Sequence, residues 1–424
     1  MADETLKTGE TELLIHWLWY ALLPGMNERE KVDLLWHFRD AEDIFFADKA
    51  TLEQIENLTK EGIEVLEDKN LTRAEEVLQM CEDKDISILT YADDAYPVAL
   101  KNIADPPLVL YYQGQLPDFE EVPFIGVVGT RKASAYGLSM AKRMGFQISR
   151  CGGTVVSGVA SGIDAMAMKG ALLAGGTVIG VLGCGIDVVY PNSSKELYAD
   201  TRYSGCLISE FPPETPPMKW NFPKRNRIIS GISRGVLVVE APKGSGALIT
   251  ARHAREQGRD VFVVTGNAGV DICAGSNDLL RSGAIFADCG WDVVGEYEKL
   301  FPGKIHKDDA PVQQVLQQDE LEKPMAKVAQ KVDTPRKKPR VGKRKEKIVI
   351  DKEANSTYSD HEKKKVSLTA NEQLIVDQLT EESLVDDVIA KTGLSAGVVL
   401  AALTLLEIKG VVTRLPGRRV RRKE

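Results

Sequence analysis

Two cations stand where an apolar run ends. Phe124-Ile125-Gly126-Val127-Val128 is followed by Gly129-Thr130-Arg131-Lys132 and then by a stretch of helical length, Ser134–Arg150. A glycine turn ahead of a helix offers backbone N–H groups and the positive end of the helix dipole to an anion. Arg131 adds a planar guanidinium fork suited to phosphate oxygens, and Lys132 adds a second charge. Gly158 and Gly162 in Ser157-Gly158-Val159-Ala160-Ser161-Gly162-Ile163-Asp164, and then Gly183-Cys184-Gly185, offer further close backbone approaches. Several phosphate-sized cradles in a row suit a polyanion better than a single nucleotide. The plainer reading of the same glycines is tight turns between strands and helices.

A second stretch, Met218 to Ser230, interleaves Lys219, Lys224, Arg225 and Arg227 with Trp220 and Phe222, and sets Asn226 between two arginines. Cations neutralise phosphates while aromatic faces stack on unpaired bases, an arrangement that fits a single strand and not a duplex. Four prolines just upstream (Pro212, Pro213, Pro216, Pro217) put the start of this segment in an extended loop. The competing reading makes Trp220 and Phe222 core and the cations solvated surface.

Catalysis is disfavoured. Asp164, Asp187, Glu210 and Glu240 fall at strand ends, yet no histidine partners them. Ser157 and Ser245 lack the G-x-S-x-G elbow of a nucleophilic serine. His253 lies within a helical pattern and reads as structural, and Asp164 and Glu210 read as capping or arginine-orienting groups. The chain also lacks the G-x-G-x-x-G of a nicotinamide-dependent oxidoreductase. Five histidines and six scattered cysteines, with no C-x-x-C pair, show no metal-ligand spacing. The expectation is therefore a protein with no metal and no cofactor, holding reduced core thiols in a cytoplasm.

The elements that position these residues follow from periodicity. Residues 122–295 alternate β-rich runs with helical segments. The predicted strands are Ile125–Val128, Thr154–Ser157, Thr177–Leu182, Cys206–Ser209, Val236–Glu240 and Asp260–Val264. Near-continuous apolar strands separated by helices predict a parallel, doubly wound α/β sheet, in which ligands bind outside the carboxyl ends of the strands. Residues 10–85 read as amphipathic helices, with a turn at Leu23-Pro24-Gly25-Met26-Asn27. That turn suggests a helix-hairpin-helix (or a similar small helical interaction domain).

Residues 301–365 run through PRKKPRVGKRKEK and cannot build a core, so they read as a charged, disordered linker. Its basic blocks either add nonspecific nucleic-acid affinity or only keep the tether solvated. Residues 366–424 read as three short helices and a hairpin with Pro416-Gly417 at its turn, a winged-helix pattern. The proposed third helix, Ala396–Ile408, carries almost no cation, which favours a protein-contact role over DNA.

A net charge of −8 looks wrong for nucleic acid until the charge is located. Residues 1–100 hold 9 Lys/Arg against 24 Asp/Glu, whereas residues 211–260 hold 9 against 4. The base is local, so a basic groove remains compatible with an acidic chain. No apolar run is long enough to span a bilayer, and the acidic start MADETLKTGE lacks the pattern of a signal peptide.

The strings VVGTRKASAYG, SGVASGID, GVLGCGIDVVYP, ISEFPP, FPKRNRIISGIS, VLVVEAPKGSGALITARHAREQGRDVF and GSNDLLRSGA occur in that order. Together they resemble the DNA-processing protein A (DprA, or Smf) family through most of the sheet domain. DPPLVLYYQG upstream and Asp386 within SLVDDVIA are similar to it as well. The resemblance implies an extended Rossmann-like domain over 86–300, between an N-terminal helical domain (1–85) and a C-terminal winged-helix domain (366–424). It implies a homodimer that binds single-stranded DNA and loads RecA recombinase onto incoming strands during natural transformation.

By position, Gly129, Thr130 and Arg131 correspond to the family's phosphate-contacting loop, and Phe222, Arg225, Asn226 and Arg227 to its F-x-x-R-N-R segment. Ser157, Gly158, Gly162 and Asp164 match its S-G-x-A-x-G-I-D turn. With Lys132, Lys219, Lys224 and Lys243 these make up the expected DNA-binding set. Thr265-Gly266 stands where the family has Pro-Gly, which leaves the 265–275 loop open. The rival from another class is a phosphoribohydrolase that cleaves nucleoside monophosphates, resembling lysine-decarboxylase-like enzymes. Ala241-Pro242-Lys243-Gly244-Ser245-Gly246-Ala247-Leu248 lacks the glutamate such an enzyme needs.

Overall fold

The structure is a computed structural model that describes residues 13–56, 58–308, 370–379, 383–394, 399, 402–403, 406, 411–415 and 419–422. It divides into two compact units, Met1–Val328 and Ala329–Glu424.

The first unit is organised by a nine-stranded sheet. Its strands are β1 (Ser87–Thr90), β2 (Val109–Gly114), β3 (Phe124–Val128), β4 (Thr154–Ser157), β5 (Val178–Leu182), β6 (Cys206–Ser209), β7 (Gly235–Val238), β8 (Asp260–Val263) and β9 (Ile285–Phe286). Their order across the sheet is β1-β2-β6-β5-β4-β3-β7-β8-β9. From β6 to β9 every pairing is parallel. The six strands read from sequence are all parallel, and outside them the sheet gains an antiparallel edge: β2 runs antiparallel to β6 and β1 antiparallel to β2. An antiparallel edge needs no crossover helix, so these short strands leave no strand–helix alternation to detect.

Alternation within the strands builds two cores. Ile125, Val127 and Val155 face one apolar cluster, while Phe124, Val128 and Val156 face the other. Both faces are covered, which is why the strand sequences run apolar without a polar beat. One face carries α1 (Ala135–Arg150), α2 (Ile163–Leu173) and α3 (Lys195–Ser204). The other carries α4 (Asn221–Ile232) and α5 (Gly246–Glu256). The chain proceeds outward from β3 through β4, β5 and β6, then returns to β7 on the opposite side of β3. The switch point of the winding therefore lies between β3 and β7, where crevices open in such sheets.

The N-terminal helices, residues 13–22 and then Glu28–Leu35 through Thr72–Asp83, share the first core by way of Trp17, Leu18, Leu34 and Leu66. Asn27 caps the second of them in a reciprocal capping box with Glu30. The buried ammonium of Lys31 donates to the carbonyls of Ala21 (2.8 Å) and Leu23 (3.0 Å) and so ties the hairpin shut. Residues 301–308, read above as the start of the linker, instead pack back onto the sheet domain, with Phe301 and Ile305 buried. The His306 amide donating to the Cys151 carbonyl (3.1 Å) and Arg150 donating to Asp308 (2.8 Å) hold the segment as well. The rest of the expected linker, 309–365, lies outside the described residues.

In the second unit, helices Ala370–Gln378 and Val385–Thr392 pack with a three-stranded sheet made of Ser383–Leu384, Val412–Leu415 and Arg419–Arg422. Gly393 ends the second helix in the left-handed region, with φ 66. Asp386 falls within that helix. Ile375, Val388, Leu403, Leu406 and Val420 form the core. The Pro416-Gly417 turn and most of the expected third helix, including Ala396, lie outside the described residues. Among the described residues no helix is long and apolar enough to cross a membrane.

Candidate nucleic-acid interface

A cavity of about 940 Å³ opens at the carboxyl ends of β3 and β7. It is lined by the loop after β3 (Gly129 to Lys132), by Lys219, Phe222, Arg225 and Asn226 around the start of α4, and by Lys243 to Gly246 after β7. The two sequence stretches singled out for their cations thus meet here, although nearly 100 residues separate them. Arg131 and Arg225 share a side: the guanidinium carbon of Arg131 lies 5.0 Å from the Phe222 ring centroid and that of Arg225 lies 6.0 Å away.

Each group has a distinct local reason for its place. Arg225 is buried at 4% exposure. Its Nη1 donates to the carbonyls of Gly158 (2.9 Å) and Val181, at the ends of neighbouring strands, and its Nε donates to Asn226 (3.2 Å). It forms a fixed floor under the cavity. Gly158 has to be glycine, because an added Cβ would stand 2.5 Å from the Arg225 guanidinium. Gly162 adopts φ 84 and lies against the backbone of Thr130 and Arg131, so it too tolerates no side chain. Asp164 sits below them, accepting from the Gly158 amide at 3.2 Å. Burial pushes its carboxyl up to about 6, against the opposing pull of Arg225 and the Gly158 amide. Burial in turn lowers Arg225 from the ordinary guanidinium range.

The helix terminus after the first loop is not open to a ligand. Ser134 caps α1, and the Glu240 carboxylate accepts from the Ser134 amide (2.8 Å) and hydroxyl (2.7 Å). Glu240 is 2% exposed and supplies the negative charge that the dipole favours. The Thr130 amide donates to the Glu240 carbonyl, and the Lys132 amide to the Thr130 hydroxyl. Most of the backbone donors expected to cradle phosphate are therefore used internally, and the side-chain cations Arg131, Lys132, Lys219 and Lys243 remain exposed at the rim. Gly244 and Gly246, ahead of α5, line the cavity, and their amides have no internal acceptor among the described residues. The sequence reading missed these two glycines. The Gly-Ser-Gly step before a helix was the signal for them.

Two expected contacts need correction. Ser157 is fully buried and its hydroxyl donates to the Val127 carbonyl at 2.6 Å, so it joins β4 to β3 and meets no ligand. Arg227 is 2% exposed, with Nη2 on Glu210 (2.5 Å) and Nε on Asp105 (2.9 Å). Charge this deeply buried persists only when paired, and the partners come from distant loops. Phe222 is half-buried at the cavity, packed against Arg131, Arg225 and the Tyr190 ring (5.6 Å). Lys224 is exposed but bridged to Glu28 of the N-terminal hairpin at 2.5 Å.

Elsewhere, Asp187 binds Lys84 (2.6 Å) away from the cavity, and His253 pairs with Glu256 on the surface of α5. The 265–275 loop, open on sequence, turns through Gly269 (φ 79) into a short 3-10 segment, Asp271–Cys273. The Tyr136 hydroxyl, donating to the Thr265 carbonyl, pins its start.

Known proteins resemble this chain over most of its length. A family model described as DNA recombination-mediator protein A matches residues 87–298, and one for the DprA winged helix domain matches 359–418. Protein Smf of Synechocystis sp. is 31% identical over 423 residues, covering 96% of this chain and 98% of that protein. DNA processing protein DprA of Bacillus subtilis is 40% identical over 224 residues, 53% of this chain and 74% of its own length. The crystal structure of DNA processing protein A from Streptococcus pneumoniae superposes with a TM-score of 0.57 at 32% identity, covering 66% of this chain and 96% of that one. With the Synechocystis relative aligned over nearly the whole length of both proteins, membership follows: the chain belongs to the DNA recombination-mediator protein A family, DprA or Smf.

Proposed function

We propose that the cavity grips the sugar-phosphate chain of single-stranded DNA. By doing so the protein protects incoming strands and loads RecA recombinase onto them during natural transformation, acting in the cytoplasm as a homodimer and not as an enzyme. One observation supports the DNA reading above the rest. The guanidinium of Arg131 lies over the Phe222 ring, 5.0 Å from its centroid, at the mouth of a cavity at the sheet's switch point, with Lys132, Lys219 and Lys243 around the same rim. Side chains of this kind neutralise phosphates, while the carboxylates nearby are occupied internally: Glu240 caps α1 and Asp164 is buried under Arg225. Among the described residues Asp164 is the one carboxylate that lines the cavity, and Asp278 nearby is bridged to Lys243 and Arg281, which disfavours the phosphoribohydrolase reading.

The proposed contacts are Gly129, Thr130, Arg131, Lys132, Lys219, Asn226 and Lys243, with Gly158, Gly162, Phe222 and Arg225 acting from behind. The names of relatives from Bacillus subtilis and Streptococcus pneumoniae, both DNA processing proteins, point the same way. Filter binding of oligo-dT against matched duplex tests the reading, with retention of the single strand expected at lower protein concentration. Equal or tighter duplex binding refutes it. The RecA step rests on the resemblance alone; if the protein leaves the rate of RecA polymerisation on the bound strand unchanged, that part falls.

A further inference from the structure

Phe222 and Trp220 stand two residues apart at the start of α4 and have opposite surroundings. Arg131 and Arg225 pack over the Phe222 ring, Tyr190 packs beside it, and Gly183 approaches so closely that an added Cβ would be 2.8 Å from the ring. Trp220 is 67% exposed, and Met218 and Lys219 beside it are exposed as well. An indole is among the largest apolar surfaces a protein can bury, so one left in water beside a cation-lined cavity is a platform without its load.

The platform is anchored. Asn221 is buried, its amide donates to the Met218 carbonyl at 3.0 Å, and its side chain reaches the Pro216 carbonyl at 3.5 Å. The turn that displays Trp220 is therefore tied to the helix start. Lys219 and Phe222, which flank Trp220 in the sequence, both line the cavity.

We propose that Trp220 is the stacking shelf for the first nucleobase outside the cavity. This rests on the single-strand reading above and extends it. Arg131 and the lysines grip phosphate, and Trp220 tests for an unpaired base. Duplex DNA meets the phosphate half of this test and fails the other half, because its bases are stacked on one another.

The test uses the full chain and two ligands, oligo-dT and the same sugar-phosphate chain with abasic sites. Trp220→Ala is expected to weaken oligo-dT binding about tenfold and to leave abasic binding unchanged, while Trp220→Phe keeps most of the preference for dT. An equal loss on both ligands would make the indole a structural part and overturn the proposal, as would no loss on either. If Arg131→Ala leaves oligo-dT binding intact, the single-strand reading itself fails and takes the shelf with it. If Arg131→Ala weakens binding while Trp220→Ala does nothing, only the shelf fails.

Discussion

Phe222 and Arg131 make one stacked unit, and removing each member should leave a different thermodynamic trace. Four exposed cations surround the cavity, Arg131, Lys132, Lys219 and Lys243. If each neutralises one phosphate of a single strand, log affinity falls with log salt at a slope of about −0.7 × 4, near −3. Arg131→Ala removes one of the four and should bring the slope to about −2. Affinity would then drop by about two decades, instead of nearly three, over a tenfold rise in salt. Phe222→Ala keeps every cation but takes away the ring beneath the guanidinium, a contact worth about 0.5–2 kcal/mol. Its slope should stay near −3 while binding weakens roughly two- to thirtyfold at every salt concentration. Fluorescence anisotropy of labelled oligo-dT across a salt series measures both quantities at once. If Phe222→Ala flattens the slope as much as Arg131→Ala does, the ring is not a passive support. If it changes nothing, the stack is incidental.

Arg227→Ala should unfold far more readily than the wild type, by about 3–5 kcal/mol, because Glu210 would be left buried without its partner. Urea denaturation measures this, and the variant's salt slope for DNA should stay that of the wild type wherever it remains folded. Asp164 provides a pH signature. Its folded carboxyl is raised to about 6 by burial, above the ordinary value near 4, so the folded state binds the proton more tightly than the unfolded chain does. Its contribution to stability is greatest below pH 4 and is lost as pH rises through 6, by on the order of 3 kcal/mol. Urea midpoints from pH 4 to 8 should therefore fall more steeply for the wild type than for Asp164→Asn. Parallel curves would mean that the carboxyl is not held as described.

Six of the seven parallel strands were legible because each is a short, mostly apolar run that ends at a turn, and the structure places them within a residue or two of the sequence reading. The edge was not. Ile285–Phe286 has only two residues, and Ser87–Thr90 and Val109–Gly114 pair antiparallel with no long helix between them, so no strand–helix alternation marks them. In the site, the location of the cations could be read but not their access to solvent. Lys224, Arg225 and Arg227 project in different directions from one helix, and their fates are set by Glu28, the strand-end carbonyls of Gly158 and Val181, and Glu210. Those partners lie between about 17 and 196 residues away along the chain, so no local pattern announces them. Occupation of the α1 terminus by Glu240, 106 residues distant, is hidden for the same reason.

Arg225 reaches the carbonyls of two neighbouring strands at once, and this has a kinetic consequence. A guanidinium fastened to the sheet has no rotamers to give up when a strand docks, so its field acts on an approaching polyanion from the start of the encounter. Its Nε is held as well, by the Asn226 side chain, so the guanidinium plane is fixed at two edges. The rim cations can swing to follow a moving chain. The charge beneath them stays still, and it gives the arriving strand a constant bearing.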